Sequence, residues 1–164
     1  KQDIQKFKDS KTLFATITAY DYVSAQNADK VGFPLLLVGD SAAMVVYGME
    51  NTITISMDEL NFLVRAVCLG TKKALVVADM PFMSYQACVE DAVRYAGRFI
   101  KEGGASAVKL EGGSPYNPQI KAIIDSGIPV MVHIGLLPQS YHLNSGYRIQ
   151  VKTKIERKRS EKST

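Results

Sequence analysis

Tryptophan is absent from these 164 residues, and cysteine and proline are scarce, at two and six. Two cysteines, Cys68 and Cys88, are too few for a disulfide-built scaffold. Both fall in helix-like stretches and read as reduced, inert core thiols of a cytoplasmic protein. No apolar run is long enough to span a bilayer. Lys1 to Ser10 is polar and amphipathic, without the apolar stretch of a secretory leader, so neither membrane insertion nor export is expected. A Gly-x-Gly phosphate loop is lacking as well: where an open dinucleotide-binding sheet would carry it, the turn reads Thr18-Ala19-Tyr20-Asp21. Net charge is missing from most of the chain. Residues 152–164 hold six Lys/Arg and two Glu, which accounts for the whole excess of +4 and leaves 14 basic and 14 acidic groups elsewhere. The tail from Lys152 to Lys162 has no interleaved aromatics, so a solvated helix face is expected there rather than a nucleic-acid contact.

What is present is a repeated alternation of short apolar runs with amphipathic segments. Leu13 to Thr18, Leu35 to Val38, Ala74 to Ala78, Ala107 to Leu110 and Val130 to Ile134 read as strands. Asp21 is placed to cap a helix that stops near Gly32. Ser56-Met57-Asp58-Glu59 is a capping box ahead of Leu60, Leu63, Val64 and Val67, and that helix ends near Gly70. A helix over about Gln86 to Lys101 stops at Gly103-Gly104, and Asn117-Pro118 opens another that ends at Ser126-Gly127. Residues 42–55 read as an apolar loop and residues 135–146 as a loop rich in turn formers. Five strands with helices between them predict parallel βαβ units.

Each of the later strands ends in polar chemistry. Val38 leads to Gly39-Asp40-Ser41, Ala78 to Asp79, Val108 to Lys109-Leu110-Glu111, and Val132 to His133. Polar groups at the C-terminal ends of parallel strands are where α/β barrels build their sites. Three of them are carboxylates, and hard oxygen donors suit Mg²⁺. Each also has a plain structural reading. An Asp after a strand commonly caps a helix or forms a turn, Lys109 could pair with a carboxylate, and His133 could be a satisfied core histidine. Tyr20 lines the site or simply packs, and His142 is assigned nothing.

The strings Thr16-Ile17-Thr18-Ala19-Tyr20-Asp21, Val38-Gly39-Asp40-Ser41, Ala78-Asp79-Met80-Pro81-Phe82, Val108-Lys109-Leu110-Glu111-Gly112-Gly113 and His133-Ile134-Gly135-Leu136 resemble ketopantoate hydroxymethyltransferase. Five motifs occur in order, over about Phe14 to Gln150. The resemblance implies a (β/α)8 TIM-barrel fold, present here as an incomplete barrel of about five parallel strands over residues 1–150, followed by the basic tail at 151–164. It also implies a Mg²⁺-dependent, cytoplasmic homo-oligomer that transfers a hydroxymethyl group from 5,10-methylenetetrahydrofolate to 3-methyl-2-oxobutanoate. On this basis Asp40 and Asp79 bind Mg²⁺, Glu111 belongs to the metal site, Ser41 and Lys109 hold the oxoacid carboxylate, and His133 contacts substrate. The chemistry agrees: a proton must leave the carbon beside a ketone, and a cation chelated by the oxoacid would take up the charge.

Departures accompany the match. Ala43 and Leu137 stand where the family has Gly and Thr, and its Gly-Gly-Tyr appears as Ser145-Gly146-Tyr147. The family's general base, a Glu on a later strand, has no counterpart, so no catalytic residue is assigned and this chain alone is expected to be weakly active or inactive. Two other readings remain. One is a Mg²⁺-dependent oxoacid lyase or mutase of the phosphoenolpyruvate mutase/isocitrate lyase group. The other is a non-catalytic assembly subunit.

Overall fold

A computed structural model describes residues 4–135 and 137–140. Five strands form one parallel sheet in the order β1 (Thr16–Thr18), β2 (Leu35–Val38), β3 (Leu75–Asp79), β4 (Ala107–Glu111) and β5 (Val130–His133). Sequential order throughout is the winding of a barrel; a doubly wound sheet reverses its order at a switch point. Helices α1 (Ile4–Asp9), α2 (Tyr22–Val31), α3 (Ala42–Val45), α4 (Met57–Gly70), α5 (Val89–Lys101) and α6 (Asn117–Asp125) complete the described residues, with short 3-10 turns at 52–54, 114–116 and 138–140.

The two sheet faces have different fates. Leu36, Val38, Val76, Ala78, Val108 and Leu110 point to the helices and join the main core with Leu60, Val64, Phe99 and Ile123. The alternate residues Leu35, Val77 and Ala107 form a smaller apolar cluster on the other face, against Ile4 of α1 and Phe14. Period-2 alternation therefore separates an outer, helix-covered face from an inner one. β2 is apolar on both faces, and β3 is so up to Asp79, because both faces are covered there at least in part.

Local chemistry sets the helix ends. Asp21 Oδ1 accepts from the N–H groups of Val23 and Ser24 at 2.8 and 2.9 Å, and Gly32, at φ 100°, closes α2 in the left-handed region. Ser56 and Glu59 form the reciprocal capping box of α4. Gly70 does more than stop that helix: a Cβ there would lie 2.5 Å from the Tyr22 carbonyl oxygen, so its absence lets α4 lie directly against α2. Asp29 of α2 accepts from Lys72, Lys73 and Ala74 N–H at 3.1, 2.9 and 2.8 Å and pins the entry to β3.

Several expectations are corrected. β1 begins at Thr16, because its partner begins at Leu35 and leaves residues before Thr16 nothing to pair with. The stretch 42–55 is not all loop: it holds α3 and the turn Thr52–Thr54. Cys88 is the cap of α5 rather than a core thiol, its Sγ accepting from Asp91 N–H at 3.4 Å, whereas Cys68 is half-buried against the main core; neither is in a disulfide. Asn117 is the first residue of α6 rather than its N-cap, its N–H closing the 3-10 turn that feeds the helix directly. The basic tail at 151–164, His142 and Ser145-Gly146-Tyr147 lie outside the described residues.

Candidate functional site

Four of the six residues singled out by sequence lie on one face. Asp79 stands opposite Lys109 in the β3–β4 register, and Glu111 stands opposite His133 in the β4–β5 register. Directly paired residues of parallel strands point the same way, as do residues two apart on one strand. Asp79, Lys109, Glu111 and His133 thus share the inner face at the C-terminal ends of their strands. Asp40 and Ser41 enter from the turn after β2. Gly39 makes room for them: a Cβ there would lie 2.9 Å from Ser41 Oγ and 3.8 Å from Asp79 Oδ2.

The charged groups are almost fully buried. Asp40, Asp79, Lys109 and Glu111 are all under one-tenth exposed. Lys109 Nζ donates to both oxygens of Asp79 at 2.7 Å. Asp40 N–H reaches toward Asp79 Oδ2 at 3.4 Å. Ser41 Oγ and Tyr20 OH are hydrogen-bonded at 2.8 Å, which places Tyr20 at the site rather than only in packing. His133 is half-buried on the neighbouring strand end.

Two residues that the sequence reading did not single out organise this cluster. Gln139, from the turn Pro138–Ser140, donates through Nε2 to Asp40 Oδ2 at 3.1 Å and to the Met80 carbonyl at 2.8 Å. Its backbone N–H donates to Glu111 Oε2 at 3.0 Å. Tyr85 OH donates to Gln139 Oε1 at 2.8 Å and accepts from Glu111 N–H at 3.1 Å. The only signal available was a polar residue following Pro138 in the loop after β5; which carboxylates it would reach is a matter of tertiary placement.

The electrostatics follow from three carboxylates sharing one buried cation. Burial raises Asp40 above the usual carboxylate range, against the opposing effects of the Gln139 hydrogen bond and the Lys109 charge. Burial likewise raises Asp79 to about 6: Lys109 pulls it down and the Asp40 charge pushes it up. Glu111 is raised to about 7 by burial, with the charges of Asp40 and Asp79 adding to it. Burial also raises the Tyr85 hydroxyl, keeping it a neutral donor.

This donor set suits a hard divalent cation: it is all oxygen, buried and short of positive charge. Beside Asp40, the buried Thr52 Oγ1 has no hydrogen-bond partner among the described residues. The carboxylates are nonetheless spread rather than gathered on one point. Among the described residues no group of three or more His, Cys, Asp or Glu side chains is placed to hold an ion as it stands. The arrangement closes on Lys109 and Gln139 instead, so the pairing of Lys109 with a carboxylate is the one observed.

Comparisons with known proteins bear on the family and the fold. The family profile described as Ketopantoate hydroxymethyltransferase matches residues 1–163. A 3-methyl-2-oxobutanoate hydroxymethyltransferase of Dehalococcoides mccartyi is 51% identical over 150 residues, 92% of this chain and 54% of the relative. The enzyme of that name from Nitrosopumilus maritimus is 53% identical over 153 residues, 93% of this chain and 54% of the relative. The chain therefore spans about half the length of the curated relatives it matches. Among solved structures, a phosphonopyruvate hydrolase in complex with oxalate and Mg²⁺ superposes with a TM-score of 0.65 at 17% identity, over 79% of this chain and 50% of the other. A phosphoenolpyruvate phosphomutase of Streptomyces platensis gives 0.64 at 16% identity, over 79% and 51%. At such identities the likeness shows the fold alone, shared with these two proteins over the part covered.

Proposed function

Because this chain belongs to the ketopantoate hydroxymethyltransferase family, we propose that it carries the cation- and oxoacid-holding part of a site that transfers a hydroxymethyl group from 5,10-methylenetetrahydrofolate to 3-methyl-2-oxobutanoate, giving 2-dehydropantoate. The observation that carries this reading is the buried cluster of three carboxylates and one lysine at the C-terminal ends of β2, β3 and β4. Asp40 and Asp79 are the residues that would hold Mg²⁺, with Glu111 beside them. When bound, the cation supplies a concentrated positive charge against the oxygens of a 2-oxo acid, which favours loss of the neighbouring C–H proton.

The remaining work falls to this chain's own groups. Lys109, a point charge on the inner face, binds the oxoacid carboxylate together with the Ser41 hydroxyl, which Tyr20 orients. Gln139 and Tyr85 hold Asp40 and Glu111 in place through the hydrogen bonds described above. The buried Met80 and Tyr85 keep water from the floor of the site, where charges act more strongly. His133 contributes a polar contact at the β5 end. No residue of this chain is assigned as the proton acceptor. No described helix is long and apolar enough to cross a membrane, and a cytoplasmic homo-oligomer is part of the proposal.

Isothermal titration of the purified chain with 3-methyl-2-oxobutanoate tests this reading. Binding is expected in the presence of Mg²⁺, to weaken strongly in EDTA, and to be lost in Asp79→Asn. Binding that ignores both EDTA and Asp79→Asn would overturn it. A lyase or mutase reaction draws support only from the shared fold, whereas the sequence relatives at about half identity are hydroxymethyltransferases.

A further inference from the structure

Thr52 opens the 3-10 turn between α3 and α4, and nothing in its sequence context marks it as functional. Its backbone is firmly set: Asn51, extended at φ −150°, accepts from Ile53 N–H through Oδ1 at 3.0 Å and so fixes the turn. The turn packs against α3 on one side and against the turn carrying Gln139 on the other. Both Asn51 and Thr52 are buried, Thr52 at 3% exposure.

In that position the Thr52 hydroxyl has no hydrogen-bond partner among the described residues. It lies close enough to Asp40 to favour the ionised carboxylate, yet falls short of hydrogen-bond geometry with it. Gln139 already occupies Asp40 Oδ2 at 3.1 Å. A buried hydroxyl without a partner is a standing cost to the fold, and valine fills nearly the same volume without it. Water or a ligand oxygen is the natural missing partner, and the neighbouring group is a carboxylate already argued to hold a cation.

We propose that Thr52 is a further residue of the cation site, its hydroxyl left unpaired until a divalent cation and the oxygens around it occupy the space beside Asp40. The inference rests on the cation reading given above and extends it to a residue outside the strand-end pattern. It makes Thr52 a residue that the fold retains at a loss of stability for the sake of binding.

Two variants and two measurements decide it. EDTA-stripped wild type, Thr52→Val and Thr52→Ser are compared by urea unfolding without metal, and by electron paramagnetic resonance counting of free Mn²⁺ as the probe. Thr52→Val is expected to unfold at the same or higher urea concentration and to bind Mn²⁺ about tenfold more weakly, the loss typical of a supporting residue around a metal. Thr52→Ser, which keeps the hydroxyl, restores wild-type affinity. A Thr52→Val protein that unfolds earlier without metal overturns the proposal, since the hydroxyl then has a partner in the cation-free fold. An unchanged Mn²⁺ affinity in Thr52→Val, beside a wild type that binds, overturns this proposal alone. A wild type that takes up no Mn²⁺ overturns it together with the cation reading.

Discussion

Raising the pH of the cation-free protein from about 4 to about 8 is expected to destabilise it, the reverse of what ordinary paired carboxylates do. The cause is the strand-end cluster. Asp79 rises from 3.8 to about 6 and Glu111 from 4.5 to about 7, both chiefly through burial. A carboxyl whose folded pKa lies above its unfolded value binds its proton more tightly when folded. Its contribution is fully present below the unfolded pKa and is lost as pH rises through the folded one, here between about pH 4 and pH 7. Rises of this size correspond to a loss on the order of 3 kcal/mol for each carboxyl. Because the two charges repel and titrate together, the joint loss is about 3–6 kcal/mol. At about 2–4 °C per kcal/mol for a chain of this length, Tm should fall by roughly 6–24 °C. Calorimetric scans in EDTA across this range supply the measurement, with Asp79→Asn and Glu111→Gln expected to flatten the slope. Excess Mg²⁺ should recover stability at the alkaline end, by about 2.7 kcal/mol at a hundredfold excess over Kd, and little at the acid end where protons compete. A Tm in EDTA that stays level or rises between these pH values would refute the reasoning, because the cluster would then not be buried and mutually repelling as described.

Two further outcomes concern the frame around the site. Asp29→Ala removes the acceptor for three backbone N–H groups and leaves the buried Ala74 N–H unpaired; urea unfolding should show a loss of about 2–4 kcal/mol. Burial acts against the Asp29 carboxylate, but those three donors hold it net below its usual value. Its stabilisation is therefore present above about pH 4 and lost only on further acidification, outside the window of the strand-end carboxyls. Gly70→Ala should cost about 1–3 kcal/mol in the same assay even though Ala is the better helix former, because its methyl group meets the Tyr22 carbonyl. A neutral result there would mean that α2 and α4 are not in direct backbone contact.

Much of the architecture was legible along the chain because it rests on local and periodic signals. Apolar runs of strand length, a capping box at Ser56, an Asp cap at Asp21 and a Gly stop at Gly32 each act within a few residues, and each appears where it was expected. Alternation within β4 separates Lys109 from Val108 and Leu110, and the structure places Lys109 on the inner face and the other two against the helices. The errors fall where no local rule operates. Residues 42–55 look like an apolar loop because a four-residue helix and a single 3-10 turn are too short to show a period. β1 is shorter than its apolar run because strand length is set by what lies opposite.

The site divides in the same way. Sequence by itself determined which polar groups end the strands, and parallel pairing then carries Asp79, Lys109, Glu111 and His133 to one face. Tertiary structure alone decided how those groups are satisfied. Lys109 turns to Asp79, Gln139 returns from beyond β5 to span Asp40 and Glu111, and Thr52 arrives beside Asp40 with no hydrogen-bond partner among the described residues. Asp40 and Gln139 stand 99 positions apart in the chain and 3.1 Å apart in space. A contact of that kind depends on the summed path of every intervening strand and helix, and burial, which raises the carboxyls, exists only once the whole sheet is folded around them.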